Sequence, residues 1–414
     1  MAGVGTLNWA LFGQTAPATW ASVAISANTG TSPVPWDVET YDPGNWHTSG
    51  APPRITVPAT VTFARQSINF ALAANGPGGG FMNGATYRGV PDESDPGNIN
   101  MFGAIVATPG GGTDYFEAIH TPTVNTSTAT WMTVEKIDAT LKRALVFNST
   151  GQALTGGVSL NASWDSEVYD TDGFHDPGVN PSRLSVPVGV NLVRLIANTQ
   201  VNGTVDVTGQ LLKNGALFTG AFSKDTGGVT RNTSNFVSPI LEVVGGTDYF
   251  ELQITVATNQ TLDAGDRTWF AIEEVPATVK RALCIRSANQ GISANTPVAI
   301  IWDGADVYDT DSIHDPVTNN TRMTVPAGVT EARIFSNFRS PNLSATVTLE
   351  VRKNGAVVQG EGKASSSTSG SDATGFGSSW MQCAPGDYFE VWLTSTTGFT
   401  LGALGQTWAC FEGR

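Results

Sequence analysis

The sequence predicts an all-β protein built as three sandwich domains in tandem, and three observations predict it. First, the motif Gly-Gly-Thr-Asp-Tyr-Phe-Glu occurs at residues 111–117 and 245–251 and returns as Pro-Gly-Asp-Tyr-Phe-Glu at 385–390. Its aspartates, Asp114, Asp248 and Asp387, lie 134 and 139 residues apart, and the tryptophans that follow, Trp131, Trp269 and Trp408, lie 138 and 139 apart. A period of that size marks repeated domains rather than solenoid units. It divides the 414 residues into units at 1–138, 139–276 and 277–414, each long enough to bury its own core. Second, 46 Gly and 22 Pro among abundant Thr, Ser, Val and Asn point to short strands joined by tight turns. Third, no long stretch repeats its apolar residues at helical spacing.

Each unit follows the same order of elements. Strand-like sequence opens at Leu7 to Phe12, Arg143 to Phe147 and Arg281 to Ile285. An acidic loop comes next: Tyr169-Asp170-Thr171-Asp172 with His175-Asp176-Pro177, Tyr308-Asp309-Thr310-Asp311 with His314-Asp315-Pro316, and a looser Tyr41-Asp42 with Trp46-His47. An apolar strand then ends at Val57-Pro58, Val186-Pro187 and Val325-Pro326. Alternating strands lead into Lys213-Asn214-Gly215 and Lys353-Asn354-Gly355. Asn-Gly is the strongest short hairpin signal, because both residues tolerate positive φ. Asn75-Gly76 is the matching pair expected in unit one. Polar loops follow, then the organising motif. There Gly supplies a sharp turn and Asp bonds nearby backbone, while Phe250, Leu252 and Ile254 share a buried face opposite Tyr249, Glu251 and Gln253. In unit three, Phe389, Val391 and Leu393 make that face. Unit one has Phe116, Ala118 and His120, which predicts a less well buried or differently packed strand. A Trp-bearing strand closes each unit.

This order resembles the C1q/TNF-like jelly roll. Unit two carries the resemblance best, with Val186-Pro187-Val188-Gly189, Lys213-Asn214-Gly215 and Asp248-Tyr249-Phe250. Unit three follows closely, and unit one lacks the hairpin Lys and the Gly after Pro58. The resemblance covers nearly the whole chain. It implies ten-stranded two-sheet sandwiches with a habit of trimerising, and it implies no chemistry. Between Glu135 and Leu141 the chain has room for at most roughly 20 Å of reach. The expectation is therefore three units side by side in an intrachain pseudo-trimer, with Tyr115, Tyr249 and Tyr388 turned toward its axis.

Several functional classes are disfavoured. A net charge of −14 and a pI near 4.6 argue against nucleic-acid binding. No apolar run is long enough to insert into a membrane, and residues 1–6 lack the regions of a signal peptide. No nucleophile elbow or recognisable Ser, His and acid set occurs, and Glu273 and Glu274 are neighbours that point to opposite faces of a strand. Asp170, Asp172, Asp309 and Asp311, with Asp176 and Asp315, are weak Ca²⁺ candidates, lacking EF-hand spacing and equally suited to turn bonding. His47, His175 and His314 recur beside those loops and read as turn-packing residues, since zinc needs converging His or Cys. Cys284, Cys383 and Cys410 fall only in unit three and read as buried thiols rather than a disulfide framework. The sequon at Asn161-Ala162-Ser163 carries little weight without an export signal. Trp20, Trp46, Trp380 and Trp392 do not recur in every unit and are candidates for exposed sugar- or protein-binding aromatics.

The resulting expectation is a non-enzymatic structural protein with no cofactor. It would be made in a host cytoplasm and carried on the surface of a bacteriophage or phage-derived particle, as a capsid decoration or head spike. Its partners would be other virion proteins, with host surface polysaccharide as a possible contact of the outer loops. The competing expectations are a receptor- or polysaccharide-binding tail-fibre tip, and a polysaccharide depolymerase. The fibre tip calls for a shaft before the first strand, and the depolymerase for a parallel β-helix repeat.

Overall fold

The computed structural model describes residues 19–24, 33–36, 38–48, 53–70, 78–85, 87–89, 92–93, 99–120, 130–202, 207–221, 223–226, 231–339, 343–357, 363–370, 373–402 and 407–414. The expected strand at residues 7–12 and the pair Asn75-Gly76 lie outside them. Among the described residues there is no helix, and none therefore that is long and apolar enough to cross a membrane. The named strands pair antiparallel throughout.

One sheet order recurs three times. In the first, Val38–Tyr41, Trp20–Ala24, Trp131–Lys136, Phe63–Phe70 and Ile99–Phe102 lie in sequence across the sheet. In the second, Ser166–Asp170, Arg143–Phe147, Trp269–Glu274 and Leu192–Asn202 take the matching places, with Arg231–Val237 at the edge. In the third they are Tyr308–Asp309, Lys280–Ile285, Trp408–Gly413, Glu331–Arg339 and Ala373–Gly377. Each such sheet packs on a second one built around the organising strand: Tyr115–His120, Tyr249–Val256 or Tyr388–Ser395.

The organising strands alternate as their sequence demands. Phe250, Leu252 and Ile254 are buried, as are Phe389, Val391 and Leu393. Val186 and Val325 are buried too. Phe116, Ala118 and His120 are equally buried, so of the two alternatives expected for unit one it is the different packing that occurs: His120 tilts against the Phe70 ring at 5.1 Å.

The motif itself is a clasp. Gly112, Gly246 and Gly386 take φ of 97°, 85° and 91°, which lets the chain turn back sharply before the Asp. The Asp then accepts a backbone N–H four or three residues upstream: Gly110 to Asp114 at 2.6 Å, Val244 to Asp248 at 2.8 Å and Ala384 to Asp387 at 2.9 Å. It also accepts the side-chain amide of the hairpin Asn, at 2.8 Å in all three copies. That Asn in turn accepts the N–H of the following Tyr. In unit one the clasping residue is Asn83 of Asn83-Gly84, with φ of 55° and 76°, and not Asn75. The missing Lys explains the misreading. Lys213 and Lys353 pair with Asp248 and Asp387 at 2.8 Å, whereas unit one has Met82 in that place.

Candidate functional site

Strands Phe63–Phe70 and Leu192–Asn202 are buried on both faces along nearly their whole length. One face is the core of the strand's own sandwich, where Ala64, Ile68 and Phe70, or Val193, Leu195 and Ala197, pack. The other face should meet solvent. It is covered because the three Trp-bearing sheets turn those faces toward one another.

At the centre of this meeting six ionised side chains form a closed cycle. Within each unit an Arg and a Glu are direct cross-strand partners: Arg65 with Glu135, Arg194 with Glu273, Arg333 with Glu412. Arg65 donates to Glu135 at 2.9 Å, Arg194 to Glu273 at 3.0 Å and Arg333 to Glu412 at 2.9 Å. Each Arg also donates to a Glu of another unit. Arg65 reaches Glu273, Arg194 reaches Glu412, and Arg333 reaches Glu135 at 3.0 Å. All six are buried, with exposures of 1–4%. Burial alone would raise Glu135, but the Arg333 and Arg65 guanidiniums, with Arg414 and the Trp380 N–H, hold its carboxyl well below the usual range. Burial likewise opposes ionisation of Glu412, and Arg194 with Arg333 overcomes it. Guanidinium suits this place because its planar fork serves two carboxylates at once.

Two further sets of contacts join the units. Tyr169 donates its hydroxyl to the Ile105 carbonyl of unit one at 2.6 Å, and Tyr308 donates to Ile240 of unit two at 2.6 Å. Their unit-one counterpart, Tyr41, stacks on Trp20 at 3.9 Å, and its hydroxyl lies 3.4 Å from Glu331 of unit three. Away from the charged cycle, Phe102 meets Phe335 with ring centroids 4.8 Å apart. There Asn100 exchanges two 2.7 Å bonds with the Gly377 backbone, and Asn235 bonds the Phe102 backbone at 2.7 and 2.9 Å. A side chain at Gly377 would collide with the Phe102 ring, so glycine is required for this approach.

The charged cycle sits at the base of a cleft of about 630 Å³. Both inter-unit links, 137–141 and 275–279, line it in part, with Thr19, Trp380 and Arg414.

The residues expected at the axis are elsewhere. Tyr115, Tyr249 and Tyr388 lie on the organising sheets, under the guanidiniums of Arg54, Arg183 and Arg322 of their own units at 4.3, 4.0 and 4.0 Å. The expectation put the axis on the wrong sheet of the sandwich: the Trp-bearing sheets meet, and the tyrosines half-cover an outer face. The candidate exposed aromatics are also corrected. Trp20, Trp46 and Trp380 are buried, with Trp20 donating to Glu331 at 2.9 Å and Trp380 to Glu135 at 2.6 Å. Trp392 is partly covered by Arg352 at 4.0 Å.

The Asp loops have their carboxylates engaged by backbone. Asp170 accepts the N–H groups of Asp172, Gly173, Phe174 and His175 at 2.9–3.2 Å. Asp309 accepts those of Asp311, Ile313 and His314 at 2.9–3.2 Å. Asp172 and Asp311 face Lys142 and Lys280 at 3.4 and 2.7 Å. The three Cys are free thiols; Cys284 and Cys410 are buried and Cys383 is half-buried.

Sequence reasoning missed the Arg and Glu cycle, although its signal was present. Glu135, Glu273 and Glu412 are 138 and 139 residues apart, and each follows the closing Trp by four residues. Glu273 is masked as a signal by its neighbour Glu274, which makes it look like half of an adjacent carboxylate pair.

No family model and no curated protein matches the sequence. Among solved structures, the one described as "The Triple Jelly Roll Fold and Turret Assembly in an Archaeal Virus" superposes over 87% of this chain and 80% of its own, with 8% identity and a TM-score of 0.20. A Paenibacillus xanthan lyase superposes over 87% of this chain and 32% of its own, with 9% identity and a TM-score of 0.19. Likenesses this loose carry no argument about the chain's activity.

Proposed function

We propose that the chain is an intrachain pseudo-trimer of C1q/TNF-like jelly rolls, with units at 1–138, 139–276 and 277–414. Its function is that of a non-enzymatic structural protein on the surface of a bacteriophage or phage-derived particle, of the capsid-decoration or head-spike type. The observation that carries this reading is the closed Arg and Glu cycle, in which each unit grips both others. It supports three sandwiches held as one block with two unlike ends. One end carries the inter-unit links, the cleft and the Asn-Gly hairpins, with Lys213 bonded to Glu242 beside the Val275 link; the other carries the turns at 257–259 and 396–398. A block of this kind docks through domain surface, and stable docking buries on the order of 1,000 Å² or more. The link-bearing end brings three units to one plane and is the docking side, with capsid protein as the partner. The opposite loops face outward, where they tolerate variation and meet host surface polysaccharide.

The test is deletion of the gene and comparison of purified particles, with a label on the protein to place it. The expected result is intact capsids that lack only this protein and show altered stability or adsorption. Its absence from wild-type particles, or cleavage of host polysaccharide by the purified protein, overturns the reading. A label confined to fibre ends moves the assignment to a fibre tip.

A further inference from the structure

One constellation lies apart from the charged cycle, beside the acidic loop of unit three. In unit three the Cys284 Sγ, an Asp306 carboxylate oxygen and a His314 ring nitrogen lie within 4.8 Å of one another. His314 Nδ1 is 2.8 Å from Asp306 Oδ1. Cys284 and His314 are buried, whereas the Asp306 side chain keeps 13% exposure, so the group opens to solvent on that side.

The other two units supply internal controls. The frame of this group is repeated: His47 faces Glu39 at 3.1 Å and His175 faces Glu167 at 2.9 Å. The position of Cys284, which pairs with Ala409 across the sheet, is Val146 facing Phe270 in unit two and Val23 facing Met132 in unit one. Unit three therefore departs from the shared frame twice at one point. A valine is replaced by a thiol, and the acid is shorter by one methylene, which draws its carboxylate back toward the strand that carries Cys284.

The geometry points to a zinc site made by Cys284, Asp306 and His314, with its fourth position open to water beside Asp306. Thiolate, imidazole and carboxylate are the ligand types Zn²⁺ takes, at about 2.0–2.3 Å, which sets donor atoms roughly 3–4 Å apart. The donors stand within 4.8 Å of one another, the closest pair at 2.8 Å, so small side-chain adjustments reach that spacing. The set is too poor in oxygen for Ca²⁺, which takes six to eight such ligands. The shared loop frame already orients the imidazole: Asp309 accepts the His314 backbone N–H at 3.0 Å, and the second ring nitrogen, Nε2, faces the Asn320 carbonyl at 3.5 Å, as the matching bonds do for His175 in unit two. An outer partner of that kind fixes a ligating imidazole's orientation. Binding displaces the proton of the Cys284 thiol to solvent and leaves the thiolate on the ion.

The experiment uses the full chain, stripped by dialysis against a chelator and titrated with Zn²⁺ and, as a spectroscopic probe, with Co²⁺. The wild-type protein and Cys383→Ser are expected to retain about one zinc per chain after desalting, as three converging protein ligands allow. With Co²⁺ both should show the near-ultraviolet charge-transfer band of a thiolate ligand. The informative variant combines Cys284→Val with Asp306→Glu. It rebuilds the arrangement that unit two folds with, so it should fold, as circular dichroism would show, and its zinc should fall to background. Wild-type protein that holds no zinc above background, a Co²⁺ complex without the thiolate band, or equal zinc in the double variant each overturns the assignment.

Discussion

Phe250 illustrates what single side chains contribute. It is fully buried, in a strand whose register places it opposite Leu184 and Lys213. Phe250→Ala should cost about 3–5 kcal/mol in chemical denaturation, since both transfer energy and a cavity are involved. Asn214 separates two effects. It sits at φ 53° and clasps Asp248 and the Tyr249 N–H. Asn214→Gly loses the clasp alone, whereas Asn214→Ala adds left-handed strain of roughly 1 kcal/mol, so Ala should be the more damaging change. Equal costs would mean that the strain is not felt. Asp170 is engaged by four backbone N–H groups, so Asp170→Ala should cost about 1–3 kcal/mol, while a Ca²⁺-selective chelator should leave the wild-type melting temperature unchanged. A drop reversed by Ca²⁺ would reassign the loop. At this scale the sequence was readable wherever a residue's role is local. Phe250, Val186 and Asp248 are explained by alternation and turn chemistry. Trp20 and Trp380 were misread because their partners, Glu331 and Glu135, lie 311 and 245 residues away.

Among the elements, the strands bearing the Arg and Glu pairs decide how the chain assembles. A buried ion pair is weak evidence of net stability, because desolvation offsets much of the attraction. Breaking one is different: Arg333→Ala leaves Glu135 and Glu412 short of a partner and should cost about 3–5 kcal/mol. Replacing all six residues with apolar ones of similar volume should cost far less, which would identify the cycle as a device for selecting partners and register. Acid tests the same cycle. Glu135 and Glu412 titrate lower in the folded protein than their usual value of 4.5. Their contribution is therefore complete above that value and is lost as the pH falls below it toward the folded-state values. Thermal melts should show wild-type stability declining below about pH 4.5, and less steeply in Glu135→Gln, which has already lost the difference. Identical slopes would remove Glu135 from the account. The repeat and the strands and hairpins of units two and three were legible here because they follow short-range rules, whereas the unit-one hairpin at Asn83-Gly84 was missed for want of its Lys. The pairing of one unit with another was not, because a strand buried on its second face looks like any apolar strand. Only the recurrence of a Glu four residues after each closing Trp, with an Arg on the strand beside it, marked it.

For the whole molecule the question is whether three sandwiches form one body in solution. The cycle predicts that they do, since no open row of units brings Arg65 to Glu273, Arg194 to Glu412 and Arg333 to Glu135 at once. The tyrosine contacts agree, joining unit two to one, unit three to two, and unit one to three. A compact body of this length has a radius of gyration of about 22 Å by the usual scaling for folded chains. Three separate domains in line, each about 14 Å by the same scaling, give roughly 33 Å. Small-angle scattering distinguishes these easily, and the smaller value is expected across a range of salt concentrations, because buried ions are poorly screened. Arg194→Glu is the counterpart experiment. It sets like charges beside Glu273 and Glu412 at the point where all three units meet, while unit two's own core residues Val193 and Leu195 are untouched. The variant should keep its β-rich circular dichroism and its radius should grow toward the extended value. A variant that stays at the compact value would show that the aromatic and asparagine contacts around Phe102 hold the three units together without the charged cycle.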